Sequence, residues 1–171
     1  MNRDTPQTGH RKSLRLKGFD YSNQGLYFVT INTNKHHSLF GKIQNEKMVL
    51  NSAGIMVERW YFELENKFES IKCLSMVVMP NHFHCIIQII DYPHINKKAT
   101  LGRVIQWFKT MTTNEYIRGV KGLGWTPFDK KLWHWNYWEH IIRNDQAFDE
   151  IENYILTNPT RWESDRFYCK E

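Results

Sequence analysis

The sequence predicts an α+β fold of the ferredoxin-like kind, with the order β-α-β-β-α-β around an antiparallel sheet and one extra C-terminal helix. Three observations support this prediction. Four segments have strand-like alternation or β-branched runs, two segments between them repeat apolar residues every three or four positions, and another such segment lies near the C-terminus. The 171 residues correspond to about one domain at roughly 150 residues each, so we expect one core.

The first half of the chain should begin with a strand and a helix. Residues 26–33 (LYFVTINT) alternate and are rich in β-branched and aromatic side chains, which favours a strand, and residues 47–50 favour a short edge strand. Asn51 or Ser52 is a suitable N-cap for the helix that follows. Its apolar stripe is formed by Val57, Trp60, Tyr61, Leu64 and Phe68.

Two central strands should form a hairpin in the middle of the chain. They are expected at residues 72–79 and 82–90, because Pro80 and Asn81 between them are typical turn residues. Thr100 can cap the second helix. Its core face should contain Leu101, Val104, Ile105 and Phe108.

The last strand and the extra helix complete the predicted order. Residues 132–142 (LWHWNYWEHII) are predicted as the fourth strand. The final helix should begin near Asn144 or Asp145 and end around Asn158, because Pro159 disfavours helical geometry in the residue before it. Its core stripe comprises Phe148, Ile151 and Ile155.

The charge of the chain indicates the kind of partner. The net charge is +5 with a pI of about 9.1, which favours a polyanion, although a solvated basic face would give the same balance. We expect residues 1–24 to be a basic arm and residues 25–171 to be one domain. The cations concentrated in the arm are Arg11, Lys12, Arg15 and Lys17.

Several classes of protein are disfavoured by what the sequence lacks. It has no apolar stretch near the roughly 18 residues of a membrane span and no secretory signal, so we expect a cytoplasmic protein without a membrane partner. Three cysteines without a CxxC pair indicate neither a disulfide framework nor a cysteine-built zinc site. The absence of a GxxxxGK[ST] phosphate loop argues against a nucleotide cofactor.

The sharpest local feature is a pair of histidines in the segment MPNHFHCIIQI, residues 79–89. In a strand, His82 and His84 share one face while Phe83 and Cys85 point to the other. Two adjacent imidazoles on a buried strand suit a bidentate cation site. Two hydrogen-bonded structural histidines are the alternative, and imidazole ligands alone would suggest zinc or another late transition metal.

The final helix offers a second chemical group. Tyr154 lies at the edge of the apolar stripe, and Asn158 lies one turn further along the same side. A tyrosine can form a covalent intermediate if a cation or base assists it, because its reference pKa is about 10. A boundary tyrosine that buries only its ring is the alternative. In the predicted fourth strand, Trp133, Trp135 and Trp138 are candidates either for base stacking or for core packing.

Together these features resemble the single-tyrosine HUH transposases, and within them the REP-associated tyrosine transposases. Four blocks carry the resemblance: the basic opening at residues 11–31, VVMPNHFHCII at residues 77–87, WEHIIRN at residues 138–144 and YILTNP at residues 154–159. The resemblance implies that His82 and His84 hold Mg²⁺ or Mn²⁺ rather than zinc. It also implies that Tyr154 is the nucleophile and that Asn158 occupies the third ligand position.

The activity implied by the resemblance is nicking and joining of single-stranded DNA with hairpin structure, through a 5′-phosphotyrosine intermediate, in the bacterial nucleoid. A homodimer is possible in such a family. The alternatives are an inactive, domesticated hairpin-binding protein and, less favoured because no RNP1-type strand is present, an RNA-binding domain. The residues expected to contact DNA are Arg11, Lys12, Arg15, Lys17, Arg103, Lys109 and Arg143.

Overall fold

The structure, a computed structural model, describes residues 24–91 and 99–169. It contains six strands and three α-helices within those ranges. In chain order these are β1 (Gly25–Asn32), β2 (Gly41–Gln44), β3 (Lys47–Leu50), α1 (Ser52–Lys67), β4 (Ile71–Val78), β5 (His82–Ile89), α2 (Leu101–Leu123), β6 (Trp138–Ile142) and α3 (Asp145–Thr157). Short 3-10 helices span Asn34–His36 and Pro159–Ser164.

The predicted ferredoxin-like fold is confirmed. The main sheet has the order β4-β5-β1-β6, and every neighbouring pair of strands is antiparallel. This is the order expected when two β-α-β units interleave, because each helical crossover skips one strand of the sheet. Strand β1 therefore lies in the centre, with β5 on one side and the edge strand β6 on the other.

Helices cover both faces of the sheet. On one face, α1 and α2 pack over Val29, Phe83, Cys85 and Ile87, which form the main core. On the opposite face, which carries the two histidines of β5, α3 packs through Ile155 against Ile86 and neighbouring apolar residues. The face of the sheet that carries the histidines is therefore partly covered by the helix that carries Tyr154.

The predicted helix starts agree with the structure. The side chains of Asn51, Thr100 and Asn144 each accept a hydrogen bond from a backbone N–H in the first turn of the helix that follows. Each cap satisfies a donor that would otherwise lack a partner. Helix α3 ends at Thr157, one residue before the predicted limit, and Pro159 starts the 3-10 helix.

The β2–β3 hairpin corrects the prediction for the segment before α1. Residues 47–50 do form a strand, but it pairs with β2, which was not predicted, and not with the main sheet. Asn45 and Glu46 both have positive φ, as a tight two-residue hairpin turn requires. Gly41 has φ +139°, and a Cβ there would meet the Val49 carbonyl oxygen at 2.2 Å.

The predicted fourth strand is shorter than expected. Only Trp138–Ile142 of the predicted 132–142 is a strand; the preceding residues make a single isolated bridge, Thr33 with Trp133. The Lys109 ammonium donates to the carbonyl oxygens of His134 and Asn136, at 2.9 and 3.0 Å. Because these carbonyls converge on one cation, the backbone there leaves the extended conformation of a strand.

Two remaining predictions concern the N-terminal arm and the absence of a membrane span. The arm, predicted at residues 1–24, lies outside the described residues except for Gln24. Within residues 24–91 and 99–169, none of the helices combines the length and the apolar composition needed to cross a bilayer.

Candidate active site

The two histidines of β5 lie side by side on one face of the sheet. His82 and His84 have ring centroids 4.5 Å apart, and both side chains are almost fully buried. Phe83 and Cys85, which alternate with them, point into the main core. The alternation of a buried strand therefore places two imidazoles together on the α3 side.

Asn81 fixes the tautomer of His82. Its amide nitrogen donates to two backbone carbonyl oxygens, of His36 at 3.1 Å and of Phe167 at 2.7 Å. This orientation leaves the amide oxygen of Asn81 facing Nδ1 of His82 at 2.9 Å. Because an amide oxygen only accepts, Nδ1 of His82 must carry the proton, and Nε2 keeps a free lone pair.

His84 connects the central strand to the final helix. Its Nδ1 lies 2.8 Å from Oγ1 of Thr30, which faces it in the β1–β5 register. Its Nε2 lies 3.3 Å from the hydroxyl oxygen of Tyr154. When Nδ1 donates to Thr30, Nε2 accepts from the Tyr154 hydroxyl. The histidine and the tyrosine identified from the sequence are thus in contact within one chain.

The final helix places its two polar residues beside the histidines. The Tyr154 ring packs edge-on against His84 and Phe28, with centroids 5.3 and 6.0 Å away. Asn158 is 1% exposed and lies at the end of α3. The structure therefore brings together all four residues that the sequence assigned to the chemistry.

Asp165 is a site residue that sequence reasoning missed. The 3-10 helix after α3 turns the chain back toward the sheet. As a result, the Asp165 carboxylate and the ring nitrogens of His82 and His84 lie within 4.8 Å of one another. The Phe167 backbone N–H donates to one carboxylate oxygen at 2.7 Å, and the Asn158 amide donates to the other at 3.4 Å. No periodicity or motif in this segment signals such a return.

The residues at this place fit a divalent cation. Nε2 of His82 and Oδ1 of Asn158 are both buried, and neither has a hydrogen-bond partner among the described residues. Two orphaned lone pairs are costly to bury unless something occupies them. His82, His84, Asp165 and Asn158 would hold the ion; the carboxylate and amide oxygens suit Mg²⁺ or Mn²⁺, while the imidazoles also suit later metals.

Burial keeps both imidazoles neutral, as metal ligands must be. Desolvation lowers the pKa of His84 to about 3, and the positive charge of Arg166 adds to this lowering. Desolvation and the neighbouring His84 hold the pKa of His82 well below its usual value. Burial, followed by the charge of Asp165, raises the pKa of Tyr154, so its hydroxyl is protonated at neutral pH.

A cleft gives access to the hydroxyl. It has a volume of about 260 Å³ and opens beside His84 and Tyr154. The Arg166 guanidinium carbon lies 4.3 Å from the Phe167 ring centroid and 5.5 Å from that of Trp138, both of which line the cleft. A fixed guanidinium at the entrance suits a phosphate group.

The cations expected to bind DNA lie in different environments. Arg103 on α2 and Arg143 after β6 are exposed, and both stay predicted contacts. Lys109 is occupied by three backbone carbonyls, which leaves less of its ammonium available to a phosphate. Arg11, Lys12, Arg15 and Lys17 lie outside the described residues.

The lowered pKa values predict acid lability of the metal-free protein. Because burial lowers the pKa of both His82 and His84, the unfolded chain binds up to two more protons once the pH falls below 6.5. The free energy of unfolding should therefore decrease from pH 7 to pH 5, and these two histidines contribute at most about 2.7 kcal/mol per pH unit to the decrease. Urea unfolding in EDTA measures this slope, which should be smaller in His84→Gln; a flat profile would contradict the assignment.

Comparison with known proteins shows the family of the chain. A family model described as "Transposase IS200 like" matches residues 26–158. An uncharacterized protein of Haemophilus influenzae is 33% identical over 175 residues, 93% of each chain.

Two solved structures share the fold. A REP-associated tyrosine transposase bound to a REP hairpin has a TM-score of 0.60 at 20% identity, covering 88% of this chain and 74% of that chain. A putative transposase from Deinococcus radiodurans has a TM-score of 0.50 at 14% identity, covering 83% of this chain and 96% of that chain. The family match, which includes both histidines, Tyr154 and Asn158, confirms the resemblance seen in the motifs: the chain belongs to the IS200-like transposase family, a group of single-tyrosine HUH transposases.

Proposed function

We propose that the protein is a metal-dependent endonuclease and strand transferase for single-stranded DNA with hairpin structure. One observation carries the proposal: the Tyr154 hydroxyl lies 3.3 Å from Nε2 of His84. Beside them are the buried Nε2 of His82 and Oδ1 of Asn158, which have no hydrogen-bond partner in the described part of the chain. A nucleophile beside a set of atoms that can ligate a divalent cation suits attack on a phosphodiester.

In the proposed reaction the tyrosine exchanges one ester bond for another. A Mg²⁺ or Mn²⁺ held by His82, His84, Asp165 and Asn158 would polarise the scissile phosphate as a Lewis acid. The Tyr154 oxygen bonds to phosphorus and loses its proton, the P–O3′ bond breaks, and the departing 3′-oxygen takes up a proton. Attack by another 3′-hydroxyl reverses these steps and rejoins strands, so the exchange needs no nucleotide cofactor.

Two arginines and an amide near Tyr154 support this step. Burial and Asp165 raise the pKa of Tyr154, whereas Asn158, Arg166 and Arg161 act in the opposite direction. Arg166 can also neutralise the phosphate that enters the cleft, since its guanidinium lies against two rings of the cleft wall. Arg166 therefore orients the phosphate, and Asn158, Arg166 and Arg161 reduce the cost of deprotonating the Tyr154 phenol.

Hairpin DNA is the proposed partner. The net charge of +5 favours a polyanion, and a solved structure with the same fold is bound to a REP hairpin. The contact between His84 and Tyr154 supports an active site assembled within one chain. A homodimer stays a prediction, as does a location in the bacterial cytoplasm at the nucleoid.

Covalent trapping tests the proposed function. The full chain is incubated with a hairpin oligonucleotide carrying unpaired flanks and Mn²⁺, and a denaturing gel is used to detect protein with attached DNA. We expect a shifted band that disappears with EDTA. Hairpin binding without any attached DNA would overturn the proposal in favour of the inactive, domesticated hairpin-binding alternative.

The basic arm should contribute phosphate contacts. Removal of residues 1–23 deletes Arg11, Lys12, Arg15 and Lys17 together. If all four contact the phosphates of the hairpin stem, the slope of log affinity against log salt should become shallower by about 3 to 4. Fluorescence anisotropy with a labelled hairpin measures the slope. An unchanged slope would show that the arm does not bind the DNA.

A further inference from the structure

We propose that a groove on the α2 side of the sheet binds the unpaired DNA strand beside the hairpin. In this proposal Trp135 stacks on a base, and Lys130 and Lys131 contact phosphates. The inference rests on the proposed function, since it extends the path of the same DNA beyond the nucleophile.

The groove is a wide cavity between a helix and a loop. It has a volume of about 720 Å³ and separates α2 from residues 128–137. Cavities of roughly 300–1,000 Å³ hold ligands of drug or nucleotide size. One wall is a polar face of α2; it presents Gln106, Thr110, Thr113 and Asn114. Side chains at these spacings share one side of a helix and can hydrogen-bond base edges.

The charge of the groove favours an anion. Lys130 and Lys131 are exposed on the loop wall, and no carboxylate belongs to the lining among the described residues. The nearby carboxylate, Asp129, is paired with Lys35 at 2.5 Å. A chain of phosphates can therefore enter without meeting an acidic side chain.

The loop wall is held in place before any ligand binds. Three backbone carbonyls of the loop converge on the Lys109 ammonium, and the buried Trp133 donates from its ring nitrogen to Thr112 at 2.8 Å. Trp135 lies within this segment and is 53% exposed in the groove. A preorganised aromatic face binds with less loss of conformational entropy.

An unpaired strand suits these features better than a duplex. Aromatic side chains stack on the faces of bases, and these faces are accessible only where bases are unpaired.

The groove also lies close to the active site along the chain. Trp138 lines the catalytic cleft and Trp135 lines the groove, three residues apart, so about 11 Å of chain at most separates them. DNA attached at Tyr154 can cross the edge strand β6 into the groove.

Binding of two labelled DNA probes tests the inference. One is a hairpin alone; the other is the same hairpin with about six unpaired nucleotides on each side, within the usual site size of single-strand binding surfaces. Anisotropy is measured in EDTA, so the result does not depend on cleavage. We expect the wild-type protein to bind the extended probe more tightly, and Trp135→Ala to reduce that advantage about tenfold. In the double variant Lys130→Ser/Lys131→Ser, the salt slope for the extended probe should fall by about 1.4.

Matched variants provide the controls. Lys42→Ser/Lys47→Ser removes two exposed lysines from the β2–β3 hairpin, and Phe62→Ala removes an exposed aromatic from α1. Both should behave as wild type. Any of three results would overturn the inference. The wild type binds the two probes equally, the Trp135 variant loses the same affinity for both probes, or an extension made of RNA binds more tightly than one made of DNA. Failure of covalent trapping with these results intact would overturn only the proposed chemistry.

Discussion

We expect Tyr154→Phe to abolish covalent attachment of DNA, lowering it by at least about a thousandfold, because the variant lacks the oxygen that would bond to phosphorus. Hairpin affinity should change little. The 3.3 Å contact of the hydroxyl with His84 does not involve DNA, and the ring that packs against Phe28 is retained. The measurement combines the denaturing gel with anisotropy on the same hairpin.

Tyr168→Phe is the matched control for this prediction. Tyr168 is an exposed tyrosine close in sequence to the site, and its ring packs against Trp162. The control should attach DNA as well as wild type does. If Tyr154→Phe still forms the covalent product, Tyr154 is not the nucleophile.

We expect His82→Gln to weaken Mn²⁺ binding by about a hundredfold or more, because the variant removes a proposed ligand whose lone pair is fixed by Asn81. Isothermal titration calorimetry on the full chain measures this affinity without any DNA. His37→Gln, which removes an exposed histidine, should bind Mn²⁺ as wild type does. Equal affinity of the two variants would show that the histidine pair does not hold the ion.

The contributions of the two oxygen donors can be separated in the same way. Asp165→Asn removes the carboxylate charge but keeps the side chain's shape, and Asn158→Leu removes the buried amide. We expect the larger loss of Mn²⁺ affinity from Asp165→Asn, because hard divalent ions prefer charged oxygen ligands. A circular dichroism melt of each variant shows whether it is folded.

Local patterns sufficed to predict most of the fold. The strand alternation around His82 and the caps at Asn51, Thr100 and Asn144 are short-range features, so the sequence itself contains the information. The β2–β3 hairpin was missed because its turn, at Asn45 and Glu46, has no glycine. The fourth strand was predicted too long because of a long-range contact: Lys109 donates hydrogen bonds to carbonyl oxygens of a segment that begins 25 residues away.

In the candidate site, too, local sequence patterns indicate some residues, and long-range contacts determine the others. The pairing of His82 with His84 follows from strand geometry, and the motifs indicated Tyr154 and Asn158. Asp165 could not be found in this way, because its position depends on a 3-10 turn folding back against the sheet. Trp133 looked equivalent to Trp135, yet the structure buries the first and exposes the second. Only tertiary contacts distinguish them.

Mass spectrometry of the trapped product tests the central claim most directly, namely that Tyr154 and the histidine pair form one DNA-cleaving centre. Trypsin releases residues 144–161 as a peptide whose single tyrosine is Tyr154. After cleavage of hairpin DNA with Mn²⁺, we expect this peptide to carry the downstream DNA strand on Tyr154 through its 5′-phosphate, with no such adduct in EDTA or in His82→Gln. A nucleotide on any other residue, or DNA cleaved without an adduct, would contradict the account.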